Sequence, residues 1–442
     1  MSEYLSNLRT ELDDITQVEY RQLRLERVVL VSVWTTGTAE EADAAMAELS
    51  ALADTAGAVV VDKLIQRREQ PDRATYVGKG KVEEVKDVVV ATGADTVICD
   101  GELSPAQLRN LEDRWDVKVV DRTTLILDIF AQHAKSVEGK TQVELAQLNY
   151  MRQRLRGWGD SLSRQVGGRA AGGVGIGGRG PGETKIETDR RRINTRAAVL
   201  RRRLKAMATT RALSRETRKR DAVPSVAIVG YTNAGKSSLL NRLADTSVLV
   251  EDALFATLDP TTRRTRTEDG RVYTLTDTVG FIRHLPTDLV EAFKSTLEET
   301  RQADLLLHVV DGSAEDPNAQ VAAVHSVLSQ IGAVEVPELI VVNKIDATAE
   351  DGLASLRHAY PEAVFVSAVT GEGVETLRAA IESRLPQPGV LVRALVPYAR
   401  GDLLDKAHRS GKVISTESTA DGTRLVARVH HGLAAELAPF EL

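Results

Sequence analysis

The run Val226-Ala-Ile-Val229, Gly230-Tyr-Thr-Asn-Ala-Gly-Lys-Ser237, Ser238-Leu-Leu-Asn-Arg-Leu243 decides the fold. Four apolar residues read as a buried strand. The G-x-x-x-x-G-K-S pattern reads as a tight loop, and the residues after it carry a helical apolar pattern. Glycines let backbone N–H groups close around phosphates, and the start of the helix favours anions. In that setting Lys236 reaches the β- and γ-phosphates, and the Ser237 hydroxyl binds Mg²⁺. The strand–loop–helix context separates the pattern from a chance glycine-rich turn.

Such a loop does not choose the base. Further along, Leu339–Asn343 reads as a strand ending in Asn343-Lys344-Ile345-Asp346. In this N-K-x-D pattern Asp346 can accept from both N1–H and the 2-amino group of guanine. Adenine leaves the carboxylate unpaired, which is costly. Phe365–Ser367 leads into Ser367-Ala368, a loop that backs the base. Arg271–Asp277 reads as a strand ending at the D-x-x-G residues Asp277 and Gly280, with Asp277 behind Mg²⁺ and the Gly280 N–H on the γ-phosphate. Thr257 in Phe255–Arg263 is the threonine chosen to close directly on Mg²⁺, with Thr261 and Thr262 as rivals. A hairpin over 262–277, turning at Asp269-Gly270, adds an antiparallel strand. The expected nucleotide-binding residues are Gly230, Tyr231, Thr232, Asn233, Ala234, Gly235, Lys236, Ser237, Ser238, Phe255, Ala256, Thr257, Asp277, Thr278, Val279, Gly280, Asn343, Lys344, Asp346, Ser367 and Ala368.

The residue after D-x-x-G is Phe281, where Ras-like GTPases carry a glutamine that orients the attacking water. Phenylalanine cannot do that, so the water is placed otherwise. Asn233 is the lead, because G-x-x-N-x-G-K-S is the loop form of GTPases that hold K⁺ beside the phosphates. K⁺ neutralises charge that an arginine finger covers elsewhere. The other reading is that Asn233 satisfies backbone groups of the loop. The expected catalytic set is Lys236, Thr257, Gly280 and Asn233.

Outward from this loop the chain alternates strand and helix, which predicts an α/β protein. Its 442 residues give about three domains as a prior. With 42% apolar residues and only 4% aromatics, cores must be mainly Leu, Val, Ile and Ala. The single Cys99 excludes an intrachain disulfide and fits a reducing compartment. The acidic start MSEYLSNLRTELDD lacks the apolar core of a signal peptide. No window approaches about 18 uninterrupted apolar residues. A cytoplasmic monomer is expected.

Residues 1–138 predict an N-terminal α/β domain. Its strands are expected at Arg27–Trp34, Gly57–Asp62, Thr96–Asp100 and Val117–Val120. Helices are expected at Lys81–Ala91 and Ser104–Glu112, the second capped by Ser104. Residues 139–220 predict a basic helical arm. A helical pattern over Thr123–Arg156 is expected to break at Gly157, because 157–182 hold eleven glycines and lose too much entropy for helix or strand. Thr184–Thr217 reads as a long helix with a narrow seam of Leu200, Leu204 and Met207. Two helices joined by this loop form a hairpin arm. Residues 221–388 predict a Ras-like domain with a mixed, mainly parallel sheet. Residues 389–442 predict a small α/β domain of strand Val390–Val396, helix Asp402–His408 and hairpin strands Lys412–Ser418 and Thr423–Val429.

The formal net charge of −6 argues against nucleic acid, but its distribution does not. Asp189–Arg220 carries thirteen Lys/Arg against two acids. The alternatives are a solvated helical face for that charge and a disordered linker for the glycines; the loop's arginines and its place between two long helices count against the linker.

The motifs at 230–237, 257, 277–280, 343–346 and 367–368 resemble the translation-factor-related GTPases. Outside them, YVGKGKVEEV (76–85), DGELSPAQLRNLE (100–112), VVDRTTLILDIFAQHA (119–134), KTQVELAQLNY (140–150), GPGETKIETDRRRI (180–193) and LFATLDPTTR (254–263) resemble the HflX family over nearly the whole chain. The match is weakest over 389–442. The resemblance implies a GTPase that binds the large ribosomal subunit and its rRNA and splits stalled or stressed ribosomes in the GTP-bound state. It gives the arm a use: Arg164, Arg169, Arg179, Arg190, Arg191 and Arg192 become rRNA-contact candidates. It also leaves Gly78-Lys-Gly-Lys81 open as an ATP site in the N-terminal half, against a plain strand-to-helix turn. The rival functions are a ribosome-assembly GTPase acting on precursor subunits and a signalling switch whose output is protein binding.

Overall fold

The computed structural model describes residues 27–166, 181–220, 223–244, 254–268, 270–283, 294–387 and 389–442. It divides into two compact units, 1–134 with 140–201, and 135–139 with 202–442.

The first unit holds a four-stranded parallel sheet built from β1 (Arg27–Trp34), β2 (Val59–Arg67), β3 (Thr96–Cys99) and β4 (Lys118–Asp121), in the order β2-β1-β3-β4. Helices α1 (Ala39–Thr55), α2 (Lys79–Thr92), α3 (Pro105–Trp115) and α4 (Arg122–His133) alternate with the strands. Ser104 caps α3 through a capping box with Gln107. Strand β2 lies further along the chain than the expected Gly57–Asp62. It runs to Arg67 because β1 offers partners as far as Trp34, and an edge strand accommodates Asp62 and Lys63. Asp121, fully buried, caps α4 by accepting from the Thr124 N–H and also takes the Tyr150 hydroxyl and Arg154. The Gly78-Lys-Gly-Lys81 turn opens α2. Its Gly78 N–H donates to Gln66 and Lys81 pairs with Glu84.

Two long helices follow, α5 (Val137–Val166) and α6 (Pro181–Arg220). The expected break at Gly157 does not occur, and the helix passes through it. A glycine costs about 1 kcal/mol relative to alanine, which a 30-residue helix absorbs. Helix therefore covers 157–166 and 181–182 of the stretch 157–182. Residues 167–180, with Arg169 and Arg179, lie outside the described residues. The buried seam of α6 is Ile193, Ala197 and Leu200, with Leu204 and Met207 only half-buried. Arg196 meets Glu144 with two bonds of 2.6 and 3.0 Å, and Arg201 donates to Asn149.

The second unit is built on a six-stranded sheet of β5 (Ser225–Gly230), β6 (Thr261–Arg266), β7 (Val272–Asp277), β8 (Leu305–Asp311), β9 (Glu338–Asn343) and β10 (Val364–Phe365). The order is β10-β9-β8-β5-β7-β6, with all pairs parallel except β6–β7. The mixed, mainly parallel sheet is the expected one, and β6–β7 is the expected hairpin. Asp269 at its turn lies outside the described residues. Helix α7 (Lys236–Leu243) buries Leu239, Leu240 and Leu243 against alternate residues of β5, β7, β8 and β9. After α8 (Lys294–Arg301), α9 (Pro317–Gln330) packs on β5 and β8. Helices α10 (Glu350–Ala359) and α11 (Val374–Arg384) complete the layer architecture.

A three-stranded antiparallel sheet of β11 (Val390–Val396), β12 (Lys412–Thr419) and β13 (Gly422–Val429), ordered β11-β13-β12, closes the chain with α12 (Gly401–Ser410). A further short helix, α13 (His431–Leu437), was not foreseen. It buries Leu433 and Leu437 in the same small core.

Candidate functional site

Strand β5 delivers the chain to a crowded point. A Cβ on Gly230 would meet the Val309 carbonyl oxygen at 2.2 Å, so only glycine fits there. Asn233 and Gly235 then take left-handed backbone conformations, φ +58° and +88°, which curl the loop into the start of α7. A cavity of about 330 Å³ opens over this loop. Of the expected residues, Thr232, Asn233, Gly235, Lys236, Ser237 and Ser238 line it from the loop. Phe255, Ala256, Thr257 and Gly280 line it from the two following segments, and Asn343, Lys344, Asp346 and Ala368 from the far side.

The other expected residues stand behind the wall. Gly230, Tyr231 and Ala234 shape the loop. Thr278 donates to the Ile228 carbonyl at 2.7 Å. Ser367 is fully buried and accepts from the Thr370 N–H, so it shapes the loop that presents Ala368. Val279 is buried in the same wall. Ala347 and Val369 also line the cavity and were missed. Each directly follows a predicted residue, so extending the two loops by one position would have found them.

Lys236 is buried, and its Nζ donates to the Tyr231 carbonyl at 2.6 Å. Burial pulls its ammonium down to about 8, opposed by the charge of Asp277. Asp277 is also buried. Burial raises its carboxyl above the usual range, against Lys236 and the Ser237 hydroxyl. Ser237 Oγ donates to Asp277 Oδ2 at 2.6 Å, and the Thr257 hydroxyl lies 2.8 Å from Ser237 Oγ. Thr261 and Thr262 belong to β6, where Thr262 meets Thr276. Asp277 Oδ1 is buried with no hydrogen-bond partner among the described residues. Two hydroxyls and a carboxylate with an unused buried oxygen form an all-oxygen donor set that fits a hard cation such as Mg²⁺.

Gly280 passes close under Lys236 and Thr232; a Cβ there would lie 2.9 Å from each. Phe281 then bridges back. Its N–H donates to the Gly230 carbonyl at 3.1 Å, and its carbonyl accepts from the Thr232 N–H at 2.7 Å. The ring is 1% exposed and absent from the cavity wall. Phe281 is therefore a fastener between the two phosphate-side segments. The Asn233 side chain is exposed at the cavity and makes no hydrogen bond among the described residues.

On the far side, the buried Asn343 carboxamide donates to the Ala234 carbonyl at 2.9 Å and accepts from the Ala368 N–H at 3.0 Å. It braces the loop at 234 against the loop at 368. Lys344 Nζ pairs with Asp311 at 2.7 Å. Asp346 stays exposed at the cavity.

Asp259, two residues beyond Thr257, was not singled out from sequence. Its Oδ2 accepts from the N–H groups of Lys135 and Ser136 at 3.0 and 2.6 Å, and Oδ1 takes the Ser136 hydroxyl. The turn it clasps is the one that opens α5. A contact across 123 residues leaves no local signal. Of the arm arginines, Arg190 and Arg191 are exposed, Arg192 is half-buried beside Asp189, and Arg164 lies within α5.

Comparison with known proteins covers most of the chain. Residues 43–131 match a family described as GTP-binding GTPase N-terminal, and 133–218 one described as GTP-binding GTPase Middle Region. Residues 225–344 match a family described as 50S ribosome-binding GTPase. A protein of Lacrimispora saccharolytica named GTPase HflX is 47% identical over 429 residues, 97% of this chain and 98% of its own. The Escherichia coli protein of the same name is 47% identical over 363 residues, 81% of this chain and 83% of its own. A solved GTP-binding protein from Sulfolobus solfataricus in complex with GDP aligns over 81% of this chain and 98% of its own, at 25% identity and a TM-score of 0.40. Among the described residues no helix is long and apolar enough to cross a membrane.

Proposed function

The chain belongs to the HflX family of GTPases and hydrolyses GTP, and from that premise we propose that it binds the large ribosomal subunit and splits stalled or stressed ribosomes while GTP is bound. Hydrolysis then resets it. One observation carries the reading: the segment 255–259 touches both ends of such a device. Thr257 stands beside Ser237 at the nucleotide cavity, and Asp259 clasps the turn at 135–139 that begins the long helix α5.

The cavity's lining supports the following roles, which belong to the same proposal. Lys236 exchanges the Tyr231 carbonyl for phosphate oxygens. Asp346 accepts from the guanine N1–H and 2-amino group. The Gly280 N–H meets the γ-phosphate. Ser237 and Thr257 would hold Mg²⁺ with Asp277 behind them, and the ion would supply neutralisation of phosphate charge. Asn233, with its free carboxamide at the cavity, holds K⁺ and takes the place of the missing glutamine. The exposed Arg190 and Arg191, with Arg164, Arg169, Arg179 and Arg192, meet rRNA phosphates. Residues 221–388 bind nucleotide, 139–220 form the rRNA-contacting arm, 1–138 and 389–442 flank them, and the protein acts as a cytoplasmic monomer.

A nucleotide shifts an equilibrium only through differential affinity, so the GTP state must hold separated large subunits more tightly than intact ribosomes. Light scattering of intact ribosomes tests this. A fall with GTP or a non-hydrolysable analogue, but not with GDP, is expected. Scattering that is unchanged by the analogue would refute splitting.

A further inference from the structure

Alternate residues of β8 point to opposite faces of the sheet. Leu305, Leu307 and Val309 belong to the core beneath α7, so His308 faces the other way, toward α9. There it meets Glu338 at the start of β9 and His325 on α9. His308 Nδ1 lies 2.6 Å from Glu338 Oε1. His325 Nε2 lies 3.0 and 3.1 Å from the two Glu338 oxygens. The three donor atoms all fall within 4.8 Å of one another.

We propose that these three side chains form a second metal site, for a divalent transition ion of the zinc class. Two imidazoles and one carboxylate are the donor set of open, three-ligand zinc sites, where water takes the fourth position. Imidazole also separates the site from the all-oxygen Mg²⁺ donors at Ser237 and Thr257. Bonds of about 2.0–2.2 Å to a tetrahedral ion put ligand atoms about 3.3 Å apart. The His325–Glu338 spacing needs only a few tenths of an ångström, and the His308–Glu338 contact must open by about 0.7 Å. The groups that would move are the accessible ones: His308 is 1% exposed, whereas Glu338 and His325 are 26% and 47% exposed. The same gradient gives an ion a way in from solvent. An ion here would pin α9 to β8 and β9.

The test uses untagged full-length protein, stripped of transition metal and held with GDP and excess Mg²⁺. Cobalt(II) is titrated first for its visible spectrum, then Zn²⁺ by calorimetry against a competing chelator. One equivalent per chain is expected, with the intense visible bands of four-coordinate cobalt and a Zn²⁺-dependent rise in Tm. His325→Ala, a partly exposed change, should weaken Zn²⁺ at least tenfold and abolish the Tm rise while GDP binding stays unchanged. Glu338→Gln should do the same. The proposal fails if no saturable equivalent binds, or if both variants bind Zn²⁺ as tightly as the unaltered protein.

Discussion

Replacing Gly139 with alanine should loosen the start of α5, although alanine is the better helix former. Within a helix the change ordinarily gains about 1 kcal/mol. Here the new Cβ would sit 2.3 Å from Asp259 Oδ1, so the clasp must open. The clasp consists of three bonds to a carboxylate, from Lys135 N–H, Ser136 N–H and Ser136 Oγ. Hydrogen bonds to charged groups contribute about 1.5–3 kcal/mol each, and water recovers part of that at the exposed Lys135. A net loss of about 2–3 kcal/mol is reasonable for Asp259→Ala, and about 1–2 kcal/mol for Gly139→Ala once the helix gain is subtracted. At about 1.4 kcal/mol per tenfold, local opening rises about 30- to 140-fold in the first variant and about 5- to 30-fold in the second. Amide hydrogen exchange of peptides spanning 130–145 reads this directly, with GDP binding as the control for an intact fold. Exchange unchanged in Asp259→Ala, or slowed in Gly139→Ala, would show that the clasp contributes nothing and that the segment 255–259 does not hold this turn.

Burial brings Lys236 down to about 8 in the empty site, and a bound phosphate restores its proton. GDP affinity should therefore be flat below pH 7 and fall above pH 8, by at most tenfold per pH unit; a flat profile to pH 10 refutes it. The sign for folding is opposite. The unfolded lysine keeps its proton longer, so this group makes the nucleotide-free protein more stable as pH rises from about 8 toward its unfolded value near 10.5. Phe281→Gln should not raise intrinsic GTP turnover beyond about twofold, because the position is buried off the cavity. An amide there costs about 1–3 kcal/mol of stability, read as a lower Tm, and a large rate gain would show that the attacking water lies within reach of position 281. Exchanging K⁺ for Na⁺ should lower kcat, and Asn233→Ala should remove the difference; equal rates in both salts exclude K⁺.

The sequence was most legible where function forces short, local patterns. Residues 230–237 announce themselves because strand, loop and helix must be contiguous, and 343–346 because one carboxylate must face guanine. Secondary structure failed where length outweighed local cost: Gly157 and Gly159 suggest a break, but the surrounding helix carries them. The work of Asn343 was half visible. Its place in the motif was read, but its two bonds to Ala234 and Ala368 join loops more than a hundred residues apart in one direction. Asp259 and the His308–His325–Glu338 group are invisible for the same reason, since each is assembled by the fold from separate elements.

The Asn343 brace also bears on how this cavity can be re-engineered. One carboxamide gives its donor to the loop at Ala234, proposed to grip phosphate, and its acceptor to the loop at Ala368, proposed to back the base. A carboxylate at 343 would lose the donor, and a shorter side chain would lose both contacts. A graft that imports only the base-facing loop from another protein would inherit a mismatched strut and disturb the phosphate end as well. Residues 230–237, 343–346 and 367–368 therefore form a single transplantable cassette, despite being written as three separate words in the chain.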